Sequence, residues 1–317
     1  MYPVGITHAR VFKFFTDVHH DWLLNAGIEY SFVNADDQIF ENVKTLITAD
    51  LEGSDLSRYP NLDAVIVPFA AINQLDLKAL TAKNIRVFNT NAHAPFVAER
   101  GLGLILAVLG RIVYFHNLLE AGDWAGRVEG GGFGKAWTSL FGKKVAIYGY
   151  GAIGQSLAHL LKPFDVEIGI LRRKSRDMPG VTNFNHLDAL AEWSDVFAIS
   201  APLNDETRGR IDQRVLRALQ ESVLINVGRG EIVDEAALFE SLESGRLKGF
   251  GCDVWYNYPT AETPICHPSN FPIHAFSNVV MTPHNGGSTP AADRMKYLDV
   301  ADQLTLIAKG DYSRQAY

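Results

Sequence analysis

Cysteine is scarce: the 317-residue chain has two, Cys252 and Cys266. So few exclude a disulfide framework and a CxxC-type metal site, and they suit a reducing compartment. Long hydrophobic runs are missing too. The longest, Gly101 to Gly110, falls far short of the roughly 20 residues that span a bilayer and reads as buried helix. The N-terminus lacks the basic, apolar and small-residue order of a secretory signal, so a cytoplasmic location is the default expectation. Basic charge is not in excess either. The formal net charge is −7 at pH 7, which argues against nucleic-acid and membrane partners, since both are polyanions. There is no internal repeat and no low-complexity tract. What is present is ordinary globular composition on a chain long enough for two domains.

The first ninety residues alternate β-rich runs with helical stretches. Residues 11–15, 28–33, 44–48, 64–67 and 86–88 read as strands, because their apolar residues are clustered as in strands buried on both faces. Residues 17–26 and 75–83 read as helices. A long helix is expected over 96–120, following Pro95, then a glycine-rich connection over 122–134 flanked by Trp124 and Trp137. From Lys144 onward strands at 145–148, 166–171, 196–200, 222–227, 248–253 and 279–281 alternate with helices at 153–161, 187–192, 212–219 and 235–242. Strict alternation means a parallel, doubly wound sheet. A last helix, 291–308, is expected to pack back on the first domain. The expected boundaries are 1–94 with 287–317 for one domain and 95–286 for the other.

Gly149-Tyr150-Gly151-Ala152-Ile153-Gly154 is a GxGxxG run that follows a strand and opens a helix. In that setting the glycines permit a tight turn, a close backbone approach to a pyrophosphate, and close helix–strand packing, with the helix N-terminus facing the phosphates. The alternative is a purely structural glycine turn. The next strand ends in Leu171-Arg172-Arg173-Lys174, where an NAD enzyme usually places a carboxylate for the ribose 2′-hydroxyl. A guanidinium cannot accept that hydrogen bond but pairs well with a 2′-phosphate. NADP(H) is therefore expected over NAD(H), with a solvated basic loop as the other reading.

Several further motifs occur in one order: Asp195 to Pro202 with Glu206-Thr207, then Ile225-Asn226-Val227-Gly228-Arg229-Gly230, Gly251-Cys252-Asp253-Val254, and Thr282-Pro283-His284-Asn285-Gly286-Gly287-Ser288-Thr289. Earlier, Asn89 leads to Ala98-Glu99, and Phe141-Gly142-Lys143 precedes the fingerprint strand. From about residue 60 to residue 300 this series resembles the D-2-hydroxyacid dehydrogenases, and Arg172 to Lys174 with Met178 to Val181 resembles their NADPH-dependent glyoxylate/hydroxypyruvate reductase branch. The resemblance implies an α/β fold of two domains, a Rossmann-type sheet inserted into a smaller flavodoxin-like substrate domain. It adds Ala201, Pro202, Thr207, Val227, Gly228, Asp253 and Gly286 to the cofactor site, and it implies a homodimer built around the 96–120 helix.

Arg229 matches the family's arginine, a forked cation suited to a carboxylate and a developing alkoxide. His284 matches the proton donor, since imidazole titrates near the working pH. His93 is a weaker candidate beside the substrate, and the remaining histidines read as structural or surface groups. The departure lies at Tyr258, before Pro259, where the family has a glutamate. A phenol could orient His284 but supplies no charge at neutral pH, so a lower histidine pKa and a more acidic optimum are expected. Glu262, or no partner at all, remain alternatives. The family's substrate-carboxylate loop reads Pro68-Phe69-Ala70-Ala71-Ile72-Asn73 here, poor in the usual glycines. Phe69, Ala70, Ala71 and Asn73 are its substrate-binding candidates, with a purely structural loop as the alternative. Trp255, Tyr256 and Tyr258 form an aromatic wall or core. Asp253 and Asp195 read as braces at strand ends, and Cys252 as a small buried apolar residue.

The activity implied is NADPH-dependent reduction of a small 2-oxoacid, of the glyoxylate or hydroxypyruvate type, in a cleft between domains that closes on substrate. The alternatives are the same hydride chemistry on an atypical oxoacid, and a dinucleotide-sensing binding protein. No metal is implied.

Overall fold

The computed structural model describes residues 1–33, 38–72, 74–124, 137–172 and 179–316. The chain divides into two compact units, Met1–His93 with Ser288–Tyr317, and Ala94–Gly287.

The first unit holds β1 (Tyr2–Ile6), α1 (Ala9–Phe14), α2 (His20–Asn25), β2 (Ile28–Phe32), β3 (Thr45–Ile47), β4 (Ala64–Val67), α3 (Leu77–Ala82) and β5 (Arg86–Asn89). Its sheet is parallel throughout, in the order β2-β1-β3-β4-β5. That is the flavodoxin-type order. Two expectations are corrected here. Residues 11–15 are helical, not a strand, because Val11 and Phe15 are four apart and bury the same helical face. A π-helical turn, Phe15–His19, joins α1 to α2. The first strand is instead β1, which contains two residues that strands disfavour, Pro3 and Gly5. Gly5 makes room for its neighbours, since a Cβ there would stand 3.2 Å from Val33, Val43 and Leu46 side chains. The chain-terminal helix, Pro290–Ala308, is capped by Thr289 Oγ1 accepting from Ala292 N–H at 3.0 Å. It buries Tyr297, Val300, Leu304 and Ile307 against Val4, Ile6 and Phe15.

The second unit opens with α4 (Ala94–Leu109) and α5 (Ile112–Glu120). The single helix expected over 96–120 is broken, with a 57° bend. Gly110 and Arg111 make the break, Arg111 lying in the left-handed region at φ 49°. The expected connection over 122–134 falls mostly outside the described residues. Then follow β6 (Lys144–Tyr148), α6 (Ala152–Leu161), β7 (Glu167–Leu171), β8 (Thr182–Asn183), α7 (Leu187–Trp193), β9 (Val196–Ile199), α8 (Gln213–Ala218), β10 (Val223–Asn226), α9 (Glu235–Glu243), β11 (Gly249–Cys252) and β12 (Val279–Met281). The sheet order is β12-β11-β10-β9-β6-β7-β8, all parallel. The order reverses between β6 and β9. In a doubly wound sheet, ligands bind at that reversal, beyond the strand C-termini. The central strands β9, β10 and β11 are buried along their length, with helices on both faces. Among the described residues no single helix is long and apolar enough to cross a membrane.

Candidate active site

In the second unit the site residues expected from the sequence follow the C-terminal ends of β6, β7, β9, β10, β11 and β12. After β6 the chain turns through Gly149, at φ +94°, into α6, whose first position follows Gly151. The three glycines do different things. A Cβ on Gly149 would meet Ala201 N at 2.4 Å, and one on Gly154 would meet Gly149 O at 2.4 Å. Both are demanded by the fold itself. A Cβ on Gly151 would meet nothing within 4 Å, and no side chain caps α6 there. Open space over uncapped N–H donors of a ten-residue helix fits a dinucleotide pyrophosphate. Ser200 Oγ donates to Gly149 O at 2.6 Å and holds the turn on β9.

Beyond β9, Ala201 is buried, and Thr207 Oγ1 donates to Pro202 O at 2.7 Å, closing the loop over this edge of the site. Arg172 follows directly on β7 and is half-buried. Its charge reaches Tyr150 in the fingerprint turn, whose hydroxyl pKa burial raises and Arg172 draws back. Arg173 and Lys174 lie outside the described residues.

The loop after β10 carries Arg229. Asn226, buried at the strand end, donates Nδ2–H to Arg229 O at 2.9 Å and accepts Gly228 N–H at 3.0 Å. One amide thus fixes both sides of the turn. Nothing but its place in the Asn226-to-Gly230 run marks this residue in the sequence. Gly228 and Gly230 are needed for close approach, because a Cβ would stand 2.8 Å from Ala201 O or 2.4 Å from Trp255 O. The Arg229 side chain is half-buried and donates to Gly228 O at 2.6 Å. Burial lowers its pKa, while Tyr258 and Glu231 oppose the shift. It stays charged at any working pH, since guanidinium does not titrate there.

His284 sits after β12 with φ 56°. A non-glycine residue in the left-handed region needs surroundings that hold it. Asp253, at the end of β11 and only 3 % exposed, does so. Its Oδ1 accepts Thr282 Oγ1–H at 2.5 Å and Asn285 N–H at 3.2 Å, and its Oδ2 accepts Gly286 N–H at 2.9 Å. The carboxylate therefore ties together both sides of the histidine, a reach beyond that of a strand-end brace. Asp195 accepts Lys144 N–H at 2.9 Å and so links β9 to β6. The pKa of His284 is lowered, first by burial and then by Arg229, with Asp253 opposing. Asn285 Oδ1, beside it, is buried with no hydrogen-bond partner among the described residues. That unmet acceptor is a second feature fitting a bound group that carries N–H donors.

Tyr258 Oη lies 2.8 Å from His284 Nδ1 and accepts Trp255 N–H at 2.9 Å. Burial is the main cause raising the phenol's pKa. Glu262 is exposed and makes no hydrogen bond to the histidine. Trp255 is buried and donates Nε1–H to Thr282 O at 2.8 Å, and Tyr256 donates to Val233 O at 3.1 Å. Cys252 is buried, and its thiol pKa is pushed up.

In the first unit, Asn89 Nδ2 donates to Ala70 O at 2.6 Å, and Thr90 N–H donates to Phe69 O at 3.3 Å. These contacts use the carbonyls of the 69–71 loop. The Phe69 ring meets the His8 ring at 5.3 Å, and Lys296 Nζ stands 5.1 Å from its centroid. Asn73 lies outside the described residues. Among the described residues no group of three or more His, Cys, Asp and Glu side chains could hold a metal.

Residues 102–286 match the NAD-binding domain of the D-isomer specific 2-hydroxyacid dehydrogenases. Hydroxyphenylpyruvate reductase of Plectranthus scutellarioides is 34% identical over 254 residues, 78% of this chain and 77% of that protein. Glyoxylate reductase of Thermofilum pendens is 32% identical over 281 residues, 84% of this chain and 78% of that one. Among solved structures, the NADPH-dependent glyoxylate/hydroxypyruvate reductase of Sinorhizobium meliloti, in complex with NADP and malonate, superimposes with a TM-score of 0.77 at 26% identity, covering 96% of this chain and 92% of that one.

Proposed function

The chain belongs to the D-2-hydroxyacid dehydrogenase family, and from that premise we propose that it reduces a small 2-oxoacid of the glyoxylate or hydroxypyruvate type to the D-2-hydroxyacid, with NADPH preferred over NADH. The observation that carries the reading is the convergence of a half-buried Arg229 and the Tyr258–His284 pair after β10, β11 and β12. When bound, the reduced nicotinamide supplies the hydride. Gly149 to Gly154 would hold its pyrophosphate, with Ala201, Pro202, Thr207, Val227, Gly228, Asp253 and Gly286 along its length. Arg172 supports NADPH, because a guanidinium directly beyond β7 favours a 2′-phosphate and cannot accept a bond from a 2′-hydroxyl.

Arg229 would bind the substrate carboxylate and stabilise the alkoxide as charge develops on the carbonyl oxygen. His284, held by Asp253 and Tyr258, would carry the proton that oxygen needs. Phe69, Ala70 and Ala71 would offer backbone N–H groups to the carboxylate. We also propose a homodimer centred on α5, because none of its residues is buried and Ile112, Val113 and Leu119 are exposed on it. Steady-state kinetics with glyoxylate, hydroxypyruvate and hydroxyphenylpyruvate test the substrate claim. The smaller acids are expected to give the higher kcat/KM and a D product. A preference for the aromatic acid would replace this reading with one of a larger pocket.

A further inference from the structure

Tyr258 is bonded on two sides, and the two bonds are not equivalent. A backbone N–H can only donate, so Trp255 N–H occupies one lone pair of Oη. The phenol proton then has one protein acceptor in reach among the described residues, Nδ1 of His284 at 2.8 Å. An Nδ1 that accepts a hydrogen bond carries no proton of its own, so in the neutral ring the proton is on Nε2.

We infer that Tyr258 fixes His284 as the neutral Nε2–H tautomer and, resting on the 2-oxoacid reductase reading, that it is the positioning residue that resupplies the histidine's proton during reduction. Once the carbonyl carbon has received its hydride, the alkoxide takes the proton from Nε2. In the same event the O–H bond of Tyr258 breaks and its proton moves to Nδ1. The ring is neutral before and after, and the charge ends on the phenolate; the resting pair returns when Nε2 takes a proton from water, leaving hydroxide, as Nδ1 hands its proton back to Tyr258 Oη. A phenol is by nature far more acidic than an aliphatic alcohol, which drives the step, while burial raises the pKa of Tyr258 and reduces that drive. The relay also avoids an imidazolate, which direct donation from a neutral ring would leave behind.

The charges facing the pair permit this route. Arg229, after β10, favours a phenolate and disfavours an imidazolium. Asp253 and Cys252, at the end of β11, act against the phenolate, and Asp253 favours the imidazolium. Glu231 bears on the same site through Arg229. Burial acts against charge on both rings. The more acidic optimum read from the sequence belongs to an enzyme whose only donor is an imidazolium. With the phenol in series, the wild type is freed from that limit.

Three measurements separate this inference from the reading beneath it. Nitrogen NMR of His284 in the protein without cofactor is expected to show the Nε2–H tautomer in the wild type and a mixture in Tyr258→Phe. The kcat/KM of the wild type, taken from about pH 5 to about pH 9, is expected to stay level through the neutral range. That of Tyr258→Phe should match it within a few-fold at acid pH and then fall about tenfold per pH unit above the histidine pKa. Tyr258→Glu should restore neutral-range activity by holding an imidazolium. Solvent-isotope mixing should show two protons in flight in the wild type and one in Tyr258→Phe. An Nδ1–H tautomer, or parallel pH profiles for the wild type and Tyr258→Phe, would overturn the inference. The expected tautomer with no turnover of any 2-oxoacid would instead overturn the reductase reading and the relay, and leave the tautomer assignment standing.

Discussion

Removing the Arg229 guanidinium takes away the fork proposed to bind carboxylate and oxyanion, while Asn226 still holds the backbone of the turn. Arg229→Ala should therefore lower kcat/KM by about 10²–10³-fold or more with little change in melting temperature. Arg229→Lys should recover only part of this, since a point charge lacks the fork. Loss of the fold in either variant would assign the arginine a structural role. Asp253→Asn is different in kind. The amide keeps one acceptor oxygen but presents an N–H₂ toward donors that need an acceptor, Thr282 Oγ1–H and the Asn285 and Gly286 amides. Both activity and stability should fall. His8 and His284 have lowered pKa values, mainly through burial. As pH drops through the ordinary imidazole range toward the folded values, the unfolded chain takes up protons that the folded chain does not. Stability is then complete above the ordinary value and declines below it. Urea midpoints at about pH 7.5 and about pH 5 should differ in that sense, and by less in His8→Gln. An equal drop in the variant would contradict this account of His8.

At the scale of elements, the fingerprint helix yields a sharp contrast. Gly151→Ala adds a methyl to open space, so it should leave the melting temperature in place and weaken dinucleotide binding about tenfold or more. Gly149→Ala and Gly154→Ala drive a Cβ into backbone 2.4 Å away and should destabilise the fold first, by about 1–3 kcal/mol or more. Binding unaffected by Gly151→Ala would move the pyrophosphate elsewhere. The second unit was legible because its strands are short, apolar and strictly alternated with helices, and because each motif sits at a strand end. The first unit was less so. Pro3 and Gly5 hid β1, and Val11 with Phe15 form an apolar cluster that fits a strand as readily as a helical face until the fold shows which. The break after α4 was missed, because one helix was read straight through Gly110, and an Arg111 in left-handed geometry has no sequence signal. Residues that matter through their hydrogen bonds, such as Asn226 and the backbone N–H of Trp255, are legible only in three dimensions.

For the whole molecule, the two chain ends build one sheet-based unit and the middle builds the other, so each unit has its own hydrophobic core. If α5 is where two copies meet, light scattering should give a dimer. Val113→Glu with Leu119→Glu should give a monomer, because both side chains are exposed on α5 and contribute nothing to the core of the single chain. A monomeric wild type would remove that proposal without touching the chemistry. The most direct test of the chemistry is steady-state NADPH oxidation with glyoxylate and hydroxypyruvate by the wild type, Arg229→Ala and His284→Gln, with NADH run alongside. Turnover by the wild type that favours NADPH and collapses in both variants is the result predicted. No turnover with any 2-oxoacid, despite tight binding of the dinucleotide, would contradict the account.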